Sequence, residues 1–125
     1  MPSFIAAAAT LPASDIGRAR KFYEETLGLT SEQEDPGGIL YRAGSSQVFL
    51  YPSDYAGTNQ ATAASFEVAD IEATLAELRD AGVTPEQYDL PGVTMENGIA
   101  DMGGDRGAWI TDPEGNILAL IQRGS

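Results

Sequence analysis

The sequence contains neither histidine nor cysteine, so any chemistry in this chain proceeds without an imidazole or a thiol. That removes Ser-His-Asp triads, thiolate nucleophiles, disulfide frameworks and every imidazole or thiolate metal ligand. The candidates for proton transfer are Glu67, Asp101 and Tyr51, and each acts as a general acid or base only where a dry pocket shifts its pKa. Glu67 is the sharpest case. Facing a cavity it needs Arg106, a ligand cation or a proton as partner; at a solvated strand end it needs none. Asp101, Asp105 and Asp112 are hard-cation donors by type, but their spacing matches no calcium-binding loop, and surface carboxylates account for them. Gly103-Gly104-Asp105-Arg106-Gly107 has the composition of a phosphate cradle. It precedes a strand instead of opening a helix, so it reads as a turn.

Charge narrows the partners. Seven basic residues against nineteen acidic ones give a formal charge of −12, which repels phosphate backbones and anionic lipid and so argues against nucleic acid and membrane partners. A cationic ligand is attracted by the same field, although solubility alone is the plainer reason for it. The N-terminal Met1-Pro2-Ser3-Phe4-Ile5 lacks the basic segment and long apolar core of a signal peptide, and no run approaches membrane-spanning length, so a cytoplasmic protein is expected.

At 125 residues and 42% hydrophobic content the chain suits a single domain, 1–125. Its pattern runs twice, as a module over about 1–55 and another over about 60–125. Residues 4–12 are small and apolar and read as a strand. Ser14-Asp15 then caps a helix with Ile16, Ala19, Tyr23 and Leu27 on one face, ending at Gly28. Arg18, Arg20 and Lys21 lie mostly off that stripe and read as a solvated face. Three short extended segments follow, 30–35, 39–43 and 47–51, separated by Pro36-Gly37-Gly38 and Gly44-Ser45-Ser46: an antiparallel meander. After a polar linker the sequence repeats. Residues 63–68 form a strand, and Asp70-Ile71 opens a helix with Ile71, Leu75 and Leu78 on one face that stops at Gly82. A strand over 86–90, a long loop through Gly92, Met95 and Gly98, and a closing hairpin complete the copy. The hairpin turn, Asp112-Pro113-Glu114-Gly115, combines a preset φ, an Asp that bonds its own backbone and a Gly that accepts positive φ.

This order of elements, with Phe22-Tyr23 and Leu27-Gly28-Leu29 in the first helix and Asp112-Pro113-Glu114-Gly115-Asn116 in the final hairpin, resembles the vicinal oxygen chelate superfamily of glyoxalase I, extradiol dioxygenases and bleomycin resistance proteins. The resemblance implies an α+β fold of tandem βαβββ modules forming a half-open, eight-stranded, barrel-like mixed sheet around a cavity, commonly completed by homodimerisation. In metal-using members it implies four ligands from four strands, and the matching positions here are Ala8, Phe49, Ala63 and Ala119. None of these side chains donates to a cation. The expectation is therefore no metal, no cofactor and neither glyoxalase nor dioxygenase activity, with the centre converted into an apolar pocket for a small molecule.

Strand alternation adds Thr10 beside Ala8, Gln47 and Tyr51 beside Phe49, Ser65 and Glu67 beside Ala63, and Ile117 and Ile121 beside Ala119. Trp109 joins them as a lining or packing aromatic. The leading expectation is a metal-independent ligand-binding member that sequesters an antibiotic or another apolar or cationic ligand. The alternatives are a cofactorless lyase or isomerase using Glu67, Asp101 or Tyr51, and a vestigial barrel packed by its own aromatic side chains.

Overall fold

A computed structural model of the chain describes residues 1–124; Ser125, the last residue of the expected second module, lies outside the described residues. It consists of two compact units, Met1–Asn59 with Pro113–Asn116, and Gln60–Asp112 with the segment from Ile117 onward. Each starts with a strand and an aspartate-capped helix, and each pairs its first strand in parallel with its last. That is the expected tandem repeat. Among the described residues no helix is long and apolar enough to cross a membrane.

The first unit contains β1 (Ala9–Ala13), α1 (Ile16–Lys21), β2 (Thr30–Asp35), β3 (Gly38–Ala43) and β4 (Ser46–Pro52), in the sheet order β1-β4-β3-β2. Asp15 caps α1 by accepting the Arg18 N–H at 3.0 Å, satisfying a donor that the first turn otherwise leaves bare. After Lys21 the helix widens into a π-helical turn, Phe22–Thr26, closed by Leu27 N–H donating to the Phe22 carbonyl at 3.0 Å. The turn shifts the expected stripe: Ala19, Phe22 and Tyr23 are buried, while Ile16 and Leu27 are half-buried. Gly28 ends the segment at φ 71, as the sequence predicts. One sheet face carries Leu11, Ala13, Ile39, Tyr41, Val48 and Leu50, all buried, and makes the core of the unit with these helical residues. The Tyr41 hydroxyl donates to Glu24 at 2.8 Å; burial, then this bond, push its pKa well above the usual tyrosine range.

Two expectations fail here. The first strand spans Ala9–Ala13 and not 4–12, and 1–8 are exposed, because alanines have poor strand preference and bury little surface. Arg18 is not a purely solvated residue. Its Nε donates to Glu114 at 2.6 Å, and the Glu114 side chain is fully shielded while Arg18 is half exposed. The same carboxylate accepts from the Ser14 hydroxyl at 3.1 Å and from the Asp15 N–H at 2.9 Å. Asn116 adds a bond from Nδ2 to the Pro12 carbonyl at 2.9 Å. Gly115, at φ 88, lies so near Gly57 that a Cβ would stand 2.7 Å from its Cα.

The second unit contains β5 (Thr62–Glu67), α2 (Ile71–Asp80), β6 (Thr94–Glu96), β7 (Ile99–Met102), β8 (Asp105–Thr111) and β9 (Ile117–Gln122), in the order β5-β9-β8-β7-β6. Asp70 caps α2 by accepting the Ala73 N–H at 3.1 Å. Ile71, Leu75 and Leu78 form its buried stripe. The Ile71 N–H donates to the Gln122 side chain at 2.8 Å, tying the helix start to β9.

The strand expected over 86–90 does not form. Glu86 N–H donates to the Trp109 carbonyl at 2.7 Å, but no ladder follows, and pairing passes to β6 and β7. These two strands lie in the stretch expected to be a loop, and Asn97 and Gly98, at φ 54 and 80, make their hairpin turn. Asn-Gly supplies the positive φ values that a two-residue hairpin requires. The described residues therefore form sheets of four and five strands, one strand more than the eight expected.

Burial pushes the Glu114 pKa up, but the hydrogen bonds from Arg18, the Asp15 N–H and Ser14 outweigh it and hold the carboxyl below its ordinary value of 4.5. A carboxylate with a depressed folded-state pKa contributes stability that is complete above the unfolded value and is lost as pH falls through the folded one. Glu114→Ala is therefore expected to cost roughly 2–4 kcal/mol at neutral pH by orphaning its donors. In urea titrations Glu114→Gln should flatten the loss of stability that the parent shows as pH drops below 4.5.

Candidate functional site

Each unit has one sheet face packed by its own helix and one face that is not. The expected ligand-binding residues fall mainly on the second kind. In the first unit, half-buried Gln47, Phe49 and Tyr51 alternate along β4 with buried Val48 and Leu50. The parallel register with β1 sets Thr10 beside Phe49 and Pro12 beside Tyr51, so Thr10, Gln47, Phe49 and Tyr51 share the open face. The rings of Phe49 and Tyr51 are parallel within 5°, with centroids 6.4 Å apart. Ala8 does not join them: it precedes β1, is exposed, and accepts the Thr10 hydroxyl at its carbonyl, 3.2 Å away.

Sequence reasoning missed two residues on this face. Glu32 accepts from Arg42 at 2.9 and 3.0 Å and from Gln47 at 3.2 Å. Bonds from Arg42, then from Gln47, hold its carboxyl below the ordinary range. No local pattern announces this group, because a register shift between Ser31 and Gln33 sets where Glu32 lies against β3.

In the second unit the register sets Ser65 beside Ala119 and Ala119 beside Trp109, a row across β5, β9 and β8. Ala119 is only 3% exposed, so little open space adjoins it. Trp109 is half-buried and meets the Tyr88 ring edge-on at 5.5 Å. Ala63 falls where the β5–β9 register shifts between Thr62 and Ala64 and has no partner on β9. Glu67 sits at the exposed end of β5 with Arg123, at 3.3 Å, as its partner. Arg106, the partner expected from sequence, pairs with Glu72 at 3.0 Å. Asp101 is exposed as well and accepts the Gly103 N–H at 3.2 Å. Neither carboxylate has the dry surroundings that acid–base chemistry requires.

Of the four positions that hold metal in metal-using relatives by resemblance, three are alanine and one is phenylalanine, so the residues present do not fit a cation. No group of three or more histidine, cysteine or acidic side chains suited to a metal occurs among the described residues.

The family model described as the Glyoxalase/Bleomycin resistance protein/Dioxygenase superfamily matches residues 5–120. The chain belongs to this superfamily. Among solved structures, a bleomycin-binding protein from bleomycin-producing Streptomyces verticillus, complexed with copper(II)-bleomycin, is 25% identical, with both chains covered in full and a TM-score of 0.74.

 The antibiotic-binding protein TnmS3 from Streptomyces sp. CB03234 is 22% identical over 98% of this chain and 100% of its own, with a TM-score of 0.68. Lactoylglutathione lyase from Agrobacterium tumefaciens is 19% identical over 98% and 95%, with a TM-score of 0.69. No curated protein is significantly similar to the chain.

One glycine on β3 shapes the open face of the first unit. Gly38 is buried and sits at φ 146, where a Cβ would lie 2.2 Å from the Leu50 carbonyl oxygen and 2.9 Å from the Phe49 ring. Gly38→Ala is expected to destabilise the protein by about 1–3 kcal/mol through backbone strain and overpacking. A lowered melting temperature with an altered aromatic circular-dichroism signal is the measurement that checks it.

Proposed function

We propose that the chain is a metal-independent small-molecule-binding protein of its superfamily, sequestering an antibiotic or another apolar or cationic ligand at an open sheet face. The observation that carries this reading is the parallel, half-buried pair Phe49 and Tyr51, set on a face where the inherited metal position offers a ring in place of a donor. Aromatic faces bind flat, weakly polar groups through area and stacking without any chemical step. Glu32, Arg42 and Gln47 add a hydrogen-bonding border that fixes orientation. Likeness to a bleomycin-binding protein and to TnmS3 supports ligand binding as the role. The charge of −12 favours cationic ligands.

A screen of basic aromatic compounds by thermal shift is expected to find ligands that raise the melting temperature. Phe49→Leu or Tyr51→Leu should weaken the best of them roughly tenfold, the scale of one aromatic stacking contact. Elemental analysis after dialysis should give no stoichiometric transition metal. A bound metal, or ligands indifferent to both substitutions, would overturn the reading.

We also propose a homodimer. β1 and β2 are the outer strands of one sheet, and β5 and β6 of the other, and unpaired strand edges are commonly covered by a partner. Sedimentation at micromolar concentration should give twice the chain mass; a monomer would refute the assignment.

A further inference from the structure

Helix α2 packs on β8 and β9, whereas its sheet continues two strands further, to β7 and β6. The overhang leaves a groove of about 660 Å³ between the flank of α2 and the β6–β7 hairpin, a volume in the range of small-molecule sites. Both ends of the groove are fixed by an arginine. Arg79 of α2 donates Nη2 to the Asn97 carbonyl at 2.8 Å and so holds the hairpin turn. Arg106 of β8 donates to Glu72 of α2 at 3.0 Å. The turn is held a second time at Gly98, where a Cβ would stand 2.7 Å from the Pro85 ring.

The lining combines an apolar floor with acidic walls. Leu75, fully buried, and Ile99, half-buried, supply the floor. The hairpin register sets Thr94 opposite Asp101 and Glu96 opposite Ile99, so these four side chains share the face that lines the groove. Glu72, Glu96 and Asp101 stand against Arg79 and Arg106, which leaves one negative charge uncompensated. Glu72 is engaged by Arg106, and Asp101 accepts the Gly103 N–H and lies opposite Arg106 in register. The Glu96 side chain has neither an ion pair nor a hydrogen bond among the described residues.

We propose that this groove is a second ligand site, separate from the open sheet faces, and that it takes a small organic monocation. An ammonium group sits at Glu96, within the reach of the Thr94 hydroxyl, and its apolar body lies over Leu75 and Ile99. One positive charge neutralises the groove, whereas an anion meets a net negative lining and an uncharged analogue leaves Glu96 without a partner.

The test is a titration of the full-length, nitrogen-15-labelled protein with phenethylammonium, alongside 2-phenylethanol and 3-phenylpropionate as neutral and anionic counterparts. Saturable amide shifts are expected over 71–80 and 94–106, with the ammonium binding tighter than the alcohol and the carboxylate weakest. Glu96→Gln, at an exposed position that leaves the rest of the spectrum in place, should weaken phenethylammonium roughly fivefold, the scale of one partly exposed ion pair. Phe49→Leu should leave it unchanged, so the groove stands or falls independently of the open-face site. No saturation at millimolar ligand, equal binding of the alcohol, shifts confined to 47–51, or an unaffected Glu96→Gln variant would each overturn the proposal.

Discussion

Glu114 is a carboxylate shut away from water, and a group of that kind survives only where donors are already waiting for it. The first unit supplies three from a single turn of chain: the Ser14 hydroxyl, the Asp15 N–H and the Arg18 guanidinium. Asp15 is thus used twice, its side chain capping α1 and its own N–H binding Glu114. The exit of β1 and the start of α1 are fixed at one point, and with them the direction in which β1 runs beside β4. That direction sets Thr10 next to Phe49. The open face of the first unit therefore depends on a salt bridge that lies outside it.

The superfamily's metal chemistry needs donors at particular strand positions, and the positions that match them by resemblance carry none in this chain. What replaces them is uneven. Phe49 stays half-exposed beside Tyr51 and enlarges an aromatic surface. Ala119 is closed in beside Trp109, Ala63 falls at a register shift, and Ala8 lies ahead of the strand it was expected to join. Of these four positions, Phe49 alone sets a large, half-buried side chain on an open sheet face. The open face of the first unit is the better developed of the two, with Glu32, Arg42 and Gln47 joined at its border.

The sequence by itself determined the repeat, because its signals are local. Asp15 and Asp70 cap helices through their own side chains, Gly28 and Gly82 end them at positive φ, and the alternation along β4 separates Val48 and Leu50 from Phe49 and Tyr51. The absence of histidine and cysteine was equally decisive for chemistry. The Asn97-Gly98 turn was also a local signal, but its flanking strands are only three and four residues long, too short for alternation to mark them. Tertiary structure alone decided the rest. Pairing Arg18 with Glu114, Glu67 with Arg123, and Glu32 with Arg42 and Gln47 joins residues on different elements, and such contacts follow from register and turn geometry instead of spacing. A single-residue shift in register moves a side chain to the other face of a sheet, so where Glu32 and Ala63 come to lie was settled by irregularities in β2 and β5 that composition and periodicity do not encode.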